Sequence, residues 1–146
     1  MWWPGWSKKN DIGRSRGGRS TKIHALTDVH GRPIHMRITE GQVHDSQVAE
    51  DLMDYANGKE ILADKAYDSN AIVKAAKDRH MVPVIPCNRT RAKKRRLNKA
   101  LYKFRYRVEC FFFELKRFRR VATRYEKTAK NYSAIVHFAA LFSWLN

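Results

Sequence analysis

The chain has 146 residues, a mass of 17.1 kDa and a hydrophobic fraction of 43%, enough for one folded domain and too little for two independent cores. Charged residues make up 30% of it, and 30 Lys and Arg stand against 14 Asp and Glu, a formal net charge of +16. That balance argues against global disorder and for a polyanionic partner, either nucleic acid or an anionic membrane surface.

The two cysteines, Cys87 and Cys110, are too few for a disulfide framework, and no Cys-x-x-Cys zinc signature is present, which points to a reducing cytoplasm. The longest apolar run, Ile135 to Leu145, is interrupted by His137 and Ser143 and falls far short of the roughly 20 residues of a membrane span. Basic residues follow Met1-Trp2-Trp3-Pro4-Gly5-Trp6 where a signal peptide needs an apolar stretch. The expectation is a soluble, basic, cytoplasmic protein.

Residues 1–20 read as a flexible leader, rich in Trp and Gly and carrying the basic run Gly13 to Arg19; the folded domain is expected over 21–146. From Thr21 the pattern has period two. Ile23 and Ala25 alternate with Lys22, His24 and Leu26, and Ile34, Met36 and Ile38 alternate with His35, Arg37 and Thr39. Asp28 to Pro33 between them reads as a turn, so the two runs predict an antiparallel hairpin.

Asp45-Ser46 is the expected N-cap of a short helix through Tyr55, ended near Asn57-Gly58. Glu60 to Asp64 predicts a short buried strand ending in a carboxylate. Asp68 or Ser69 would cap a helix over Asn70 to Arg79, and Met81 to Pro86 a strand that Pro83 and Pro86 place at a sheet edge. Strand, helix and strand make a βαβ unit with a right-handed parallel crossover.

The charge then changes. Residues 1–87 hold 13 Lys and Arg and 11 Asp and Glu, whereas residues 88–146 hold 17 and 3. Asn88 to Lys99 alone would pass for a solvated basic tail, but the sequence beyond Leu101 is rich in Phe and Tyr at helical spacing. It predicts one long helix from about Asn98 to Tyr125. A last helix, about Asn131 to Leu145, is apolar nearly all round and is expected to be buried. The fold class is α/β: a mixed sheet, antiparallel hairpin plus parallel strands, flanked by helices.

On the long helix, at about 100° per residue, Tyr102, Arg105, Glu109 and Lys116 fall within a stripe about 60° wide. Leu101, Phe104, Val108, Phe111, Leu115, Phe118 and Ala122 fall on the opposite side, and Arg117 and Arg120 lie beside the polar stripe. Glu109 is therefore either a surface carboxylate in salt bridges with its neighbours or a functional group set among cations. Asp64, at the end of a buried strand, is either a turn residue or a functional one. Two converging carboxylates of this kind suit a divalent metal with hard-oxygen preference, and surrounding cations suit DNA phosphates.

These residues carry a resemblance. The order Tyr102, Arg105, Glu109, Lys116, with its spacing, resembles the Tyr-Arg-Glu-Lys signature of DDE transposases of bacterial insertion sequences. Asp64-Lys65-Ala66-Tyr67 resembles the strand end that carries that family's second catalytic Asp. Further similar blocks are Gly13-Arg14-Ser15-Arg16-Gly17-Gly18, Thr21-Lys22-Ile23-His24, Gly41-Gln42-Val43-His44-Asp45-Ser46 and Arg119 to Lys127. Together they span about residues 12–145.

The resemblance implies a ribonuclease-H-like catalytic domain that cuts DNA at transposon ends and joins them to target DNA with Mg²⁺ or Mn²⁺. Asp64 and Glu109 would be catalytic metal ligands. Tyr102, Arg105 and Lys116, with Arg117, Arg120, Lys93, Lys94, Arg95, Arg96, Arg14 and Arg16, would bind DNA. It also implies the bacterial nucleoid as the place of action, and a homo-oligomer or an assembly with an upstream reading-frame product as the working form.

Two departures from the family pattern stand out. Ala66 replaces the usual Gly, which matters only if that position needs a positive φ. The family's first catalytic Asp lies on an early strand upstream of the Gly13 block, where the only carboxylate is Asp11, without a strand pattern around it. The expectation is that this Asp is missing and that the chain corresponds to the C-terminal portion of a transposase, the N-terminal part of the domain being truncated. A two-metal site is then expected only with the missing Asp supplied. Asp28 is no substitute, since it opens the hairpin turn.

Among other residues, His24, His30, His35 and His44 match no zinc spacing and are read as structural. Trp2, Trp3 and Trp6 are read as leader or loose packing, and Cys110 as a helix filler. The rival readings are a non-catalytic DNA-binding fragment that modulates a full-length transposase and, less well supported, a ribosome-associated basic protein, which leaves the ordered stripe without a reason.

Overall fold

A computed structural model describes residues 10–15 and 18–145, the side chain of Ser15 excepted. Trp2, Trp3, Trp6 and Arg16 lie outside the described residues. The element order is β1 (Gly13–Ser15), β2 (Gly18–Thr27), β3 (Pro33–Glu40), α1 (Asp45–Met53), β4 (Glu60–Leu62), a 3-10 turn (Lys65–Tyr67), α2 (Asn70–Asp78) and β5 (Val82–Val84). There follow α3 (Lys99–Tyr102), a 3-10 turn (Lys103–Arg105), α4 (Tyr106–Arg117), α5 (Arg119–Ala122) and α6 (Ala129–Leu145). No described helix is long and apolar enough to cross a membrane.

The expected hairpin is present, with Ile23 opposite Ile38 and Ala25 opposite Met36 in antiparallel register. Its turn is built by Asp28, whose Oδ1 accepts the N–H groups of His30 and Arg32, both at 2.8 Å. Gly31 closes it at φ +86, where a Cβ would sit 3.0 Å from the carbonyl oxygen of Arg107, so the turn can pack against α4 only with glycine there. Part of the expected leader is ordered strand rather than loose chain: Gly13 to Ser15 pair antiparallel with Gly18 to Ser20. Glycine and arginine carry no period-two signal, which hid β1.

The βαβ unit is also present, β4 and β5 pairing in parallel with Ile61 opposite Pro83. Ser69 caps α2, its Oγ accepting the Ile72 N–H at 3.1 Å, which leaves Asp68 for another role. The N-cap of α1 is His44, without a side-chain bond, and Asp45 is the first helical residue. Asp45 gives its carboxylate to Lys22 Nζ at 3.1 Å instead of to the helix backbone. The α/β class with antiparallel and parallel strands flanked by helices is as expected, and the described strands divide into an antiparallel three-stranded sheet and a parallel two-stranded one.

The long helix is shorter than expected and interrupted. It runs through a tighter 3-10 turn at Lys103–Arg105 with helical dihedrals throughout, then breaks at Phe118, whose ψ is 108°. Phe118 packs against the edge of the core beside the exposed Phe142, ring centroids 5.3 Å apart, and the final turn ends at Ala122. The last helix is also not buried all round. Tyr132, Val136, Ala139 and Ala140 pack inward, whereas Phe138, Leu141, Phe142, Trp144 and Leu145 are exposed, because sheet and α4 cover only one of its sides.

The buried residues form two clusters. Met36, Phe111, Leu115, Val121, Tyr132 and Val136 join the hairpin to α4, α5 and α6. Ala49, Met53, Ile72, Ala76, Met81 and Ile85 join α1, α2 and β5. Where the clusters meet, a cavity opens between β2 and β4.

Candidate active site at the seam of the two cores

The cavity has a volume of about 330 Å³ and takes its walls from Ile23 to Leu26 of β2, Ile61 to Asp64 of β4 and its end, Ala49, Leu52 and Met53 of α1, and Val108 and Phe112 of α4. Among the described residues, β2 over Thr21 to Thr27 and β4 each pair along one edge only, with β3 and β5. The floor is thus apolar and bounded by two open strand edges. Asp45, Asp64, Tyr67, Arg105 and Glu109 supply its polar lining.

Asp64 reaches the cavity because β4 ends at Leu62 and the chain turns at once into the Lys65–Tyr67 turn. Asp64 caps that turn, its Oδ1 accepting the Ala66 N–H at 2.7 Å. Among the described residues the non-glycine positions with positive φ are Asp11 and His80, so Ala66 replaces glycine there without backbone strain. Glu109, from the first turn of α4, is held by Arg105 one turn earlier, Nη2 to Oε1 2.6 Å. The Arg105 guanidinium also lies 5.7 Å from the centroid of Tyr102. Burial works against the charge on Arg105, but the Glu109 hydrogen bond and the nearby Tyr102 and Asp64 outweigh it and raise its pKa. Arg105 is thus bonded to Glu109 and feels Asp64 only as a more distant charge.

Around the rim, Tyr67 has its hydroxyl pushed up to about 12 by burial and by Asp45 and Asp64, so it stays a protonated donor. His24 is buried behind Asp45, with Nε2 2.7 Å from Thr39 Oγ1. Burial lowers its pKa, against the pull of Asp45, which suits the structural role expected of it.

The structure thus gathers Asp64, Glu109, Arg105 and Tyr102. Lys116 stands two turns further along, in a neighbouring cavity of about 530 Å³ with Arg19, Thr21 and Arg124, and Ile23 and Phe112 line both cavities. The other cations divide. Arg117 pairs with Glu114 at 2.7 Å, Arg120 with Glu126 at 2.6 Å and Arg95 with Asp68 at 2.6 Å, whereas Arg14, Lys93, Lys94 and Arg96 are exposed on the surface.

Known proteins decide the family. The family model described as Transposase DDE domain matches residues 3–143. The chain belongs to the DDE transposases of insertion sequences. It is 36% identical over 128 residues to a transposase assigned to insertion sequence element IS6501 of Brucella ovis, covering 86% of this chain and 98% of that protein. It is 29% identical over 148 residues to one assigned to IS402 of Burkholderia cepacia, covering 92% of this chain and 67% of that protein. No solved structure gives a significant match. DNA is accordingly the substrate of the family, and strand cleavage and transfer its chemistry.

Asp64 and Glu109 offer hard oxygen donors of the type that Mg²⁺ takes, an ion that uses one or two carboxylates and completes its shell with water and substrate phosphates. The described residues contain no group of three His, Cys, Asp or Glu placed to hold a metal. Two side chains were given no functional role from the sequence. Tyr67 carries no signal beyond its block. Asp68 was one of two expected caps, with Ser69, while its side-chain partners lie twenty or more residues away.

Proposed function

We propose that this chain carries out metal-dependent cleavage and strand transfer at transposon ends, with Asp64 and Glu109 as ligands of Mg²⁺ or Mn²⁺. The observation that carries the reading is the opening of both carboxylates onto one cavity, which Arg105, paired with Glu109, also lines. When bound, the metal would activate the attacking oxygen and stabilise the leaving one in an in-line displacement.

The chain's own groups would prepare that step. Arg105 would exchange Glu109 for a DNA phosphate once Glu109 serves as a ligand, and the Tyr102 ring, 5.7 Å from the guanidinium, would help keep it in place. Tyr67 remains a donor at the rim. Lys116 and the exposed Lys93, Lys94, Arg96 and Arg14 neutralise phosphates further along the duplex, each released counterion steepening the salt dependence of binding. Arg117, Arg120 and Arg95 would join only by leaving their carboxylates. A third carboxylate, of the kind the family carries on an early strand, would enter the same cavity along the open edges of β2 and β4, supplied by an upstream product or an oligomer. The site would act on DNA in the bacterial cytoplasm.

The second reading, a non-catalytic DNA-binding fragment that modulates a full-length transposase, is favoured by one observation: no three-ligand cluster exists among the described residues. Nicking of labelled transposon-end DNA, with the chain complemented by its upstream region and Mg²⁺ or Mn²⁺ added, separates the two. Cutting that disappears in Asp64→Ala and Glu109→Ala while DNA binding survives supports the first reading. Cutting equal to the parent in both variants overturns it, and no cutting under any metal leaves the second.

A further inference from the structure

The side chain of Asp68 has no solvent exposure, yet it stands at the root of the most basic segment of the chain. Its Oδ1 accepts Arg91 Nη1 at 2.8 Å and Arg95 Nη2 at 2.6 Å, and its Oδ2 accepts the Asn88 N–H at 2.6 Å. The segment is tied down at further points: the Arg95 N–H meets Cys87 Sγ at 3.1 Å, and Arg91 also reaches the side chain of Asn70. Burial works to raise the Asp68 carboxyl, but the Asn88 N–H and the two guanidiniums outweigh it and hold it below the usual carboxylate range.

A solvated basic tail keeps its cations in water. Here Arg91 and Arg95 turn inward, while Arg89, Lys93, Lys94 and Arg96 remain exposed between and beside them. Buried ion pairs of this kind add little net stability over an apolar replacement, and their best-attested use is to fix a register. Asp68 follows Asp64 by a single 3-10 turn, Lys65–Tyr67. The clamp therefore ties the basic segment to the loop that presents a carboxylate to the cavity.

We infer that Asp68 is a positioning residue for DNA: it fixes segment 88–97 so that Lys93, Lys94 and Arg96 stand at a set place relative to Asp64. The inference rests on the reading that these cations contact DNA. A segment already fixed avoids the cost of ordering on binding. Charge counting and positioning predict opposite signs, because Asp68→Asn removes a negative charge and would tighten DNA binding by electrostatics alone.

The test measures affinity for a duplex across a salt series in the parent, in Asp68→Asn, in the charge-conserving Arg91→Lys and in the triple variant Lys93→Ala/Lys94→Ala/Arg96→Ala. Amide hydrogen exchange over 88–97 and thermal unfolding accompany it. The triple variant is expected to reduce the slope of log affinity on log salt by about 2.7, at about 0.9 per phosphate contact. Asp68→Asn is expected to weaken binding by about tenfold with a smaller slope, faster exchange confined to 88–97 and a cooperative unfolding transition. Arg91→Lys moves the same way with net charge unchanged, and it decides the matter if Asp68→Asn does not fold. Binding as tight as the parent in the folded Asp68 or Arg91 variants, with a weakened triple variant, overturns the clamp and leaves the DNA reading intact. A triple variant equal to the parent overturns it as well, while failure of the parent to bind DNA sinks that reading itself.

Discussion

Arg105 and Glu109, one turn apart, are joined Nη2 to Oε1 at 2.6 Å at the mouth of the cavity that Asp64 also lines. As a surface pair spaced i, i+4, with Glu109 more than half exposed, it is worth about 0.5 kcal/mol at most to the fold. Its consequence is chemical, since the guanidinium neutralises the carboxylate proposed as a metal ligand.

Arg105→Ala should therefore leave thermal stability almost unchanged and act on ligands. Duplex affinity is expected to fall, with the salt slope smaller by about 0.9, and Glu109, freed of its partner, to bind Mn²⁺ more tightly in the absence of DNA. Fluorescence anisotropy and calorimetric Mn²⁺ titration read the two effects separately. A salt slope equal to the parent's would mean that Arg105 touches no phosphate.

Asp64 caps the Lys65–Tyr67 turn and is proposed to bind the metal, and substitution can separate the two. Asp64→Asn keeps an oxygen for the Ala66 N–H, which now lies at 2.7 Å, and removes the charge. Asp64→Ala removes both and should cost about 1 kcal/mol in addition. Mn²⁺ binding is expected to be lost equally in the two, with only the alanine variant showing lower stability in denaturant titration. Retained metal binding in the asparagine variant would show that Asp64 is no ligand.

The hairpin and the βαβ unit were legible because each is local. Alternation marks β2 and β3, and Ser69 ahead of an apolar run marks α2. Asp64 and Glu109 were singled out through spacing and resemblance together, and only the folded chain shows that both line one cavity. What escaped is set by distant contacts. Phe118 breaks the long helix because it packs beside Phe142, twenty-four residues on, and α6 keeps an exposed apolar side because the sequence of a helix does not state how many neighbours it has. The inward turn of Arg95 was hidden for the same reason, its anion lying at position 68.

His24 gives the fold a pH dependence with a definite sign. Its pKa is lowered from 6.5 by burial, against the opposing pull of Asp45. Below 6.5 the unfolded chain binds this proton before the folded one does, so its contribution is complete above that value and is lost as pH falls through the folded pKa. Urea midpoints should decline from pH 7 toward acid, and His24→Gln should flatten the decline between the two pKa values. An unchanged pH profile in the variant would assign the decline to other groups, Asp68 among them at lower pH.

Tyr132 tests how α5 is held against the last helix. It is 3% exposed, and its hydroxyl donates to the Val121 carbonyl at 2.9 Å, while the Arg124 guanidinium lies 4.9 Å from its ring centroid. Tyr132→Phe preserves the ring and its stacking but leaves the Val121 carbonyl without this donor, a loss of about 1–2 kcal/mol. For a chain of this length the melting temperature should fall by about 4–6 °C. DNA affinity should not change, because neither the ring nor Arg124, whose guanidinium is taken up by Asn10, Thr21 and Glu126, is asked to meet a phosphate. If Tyr132→Phe instead weakens DNA binding at a temperature where the chain remains folded, the cavity holding Lys116, Arg124 and Tyr132 is part of the DNA interface rather than its support.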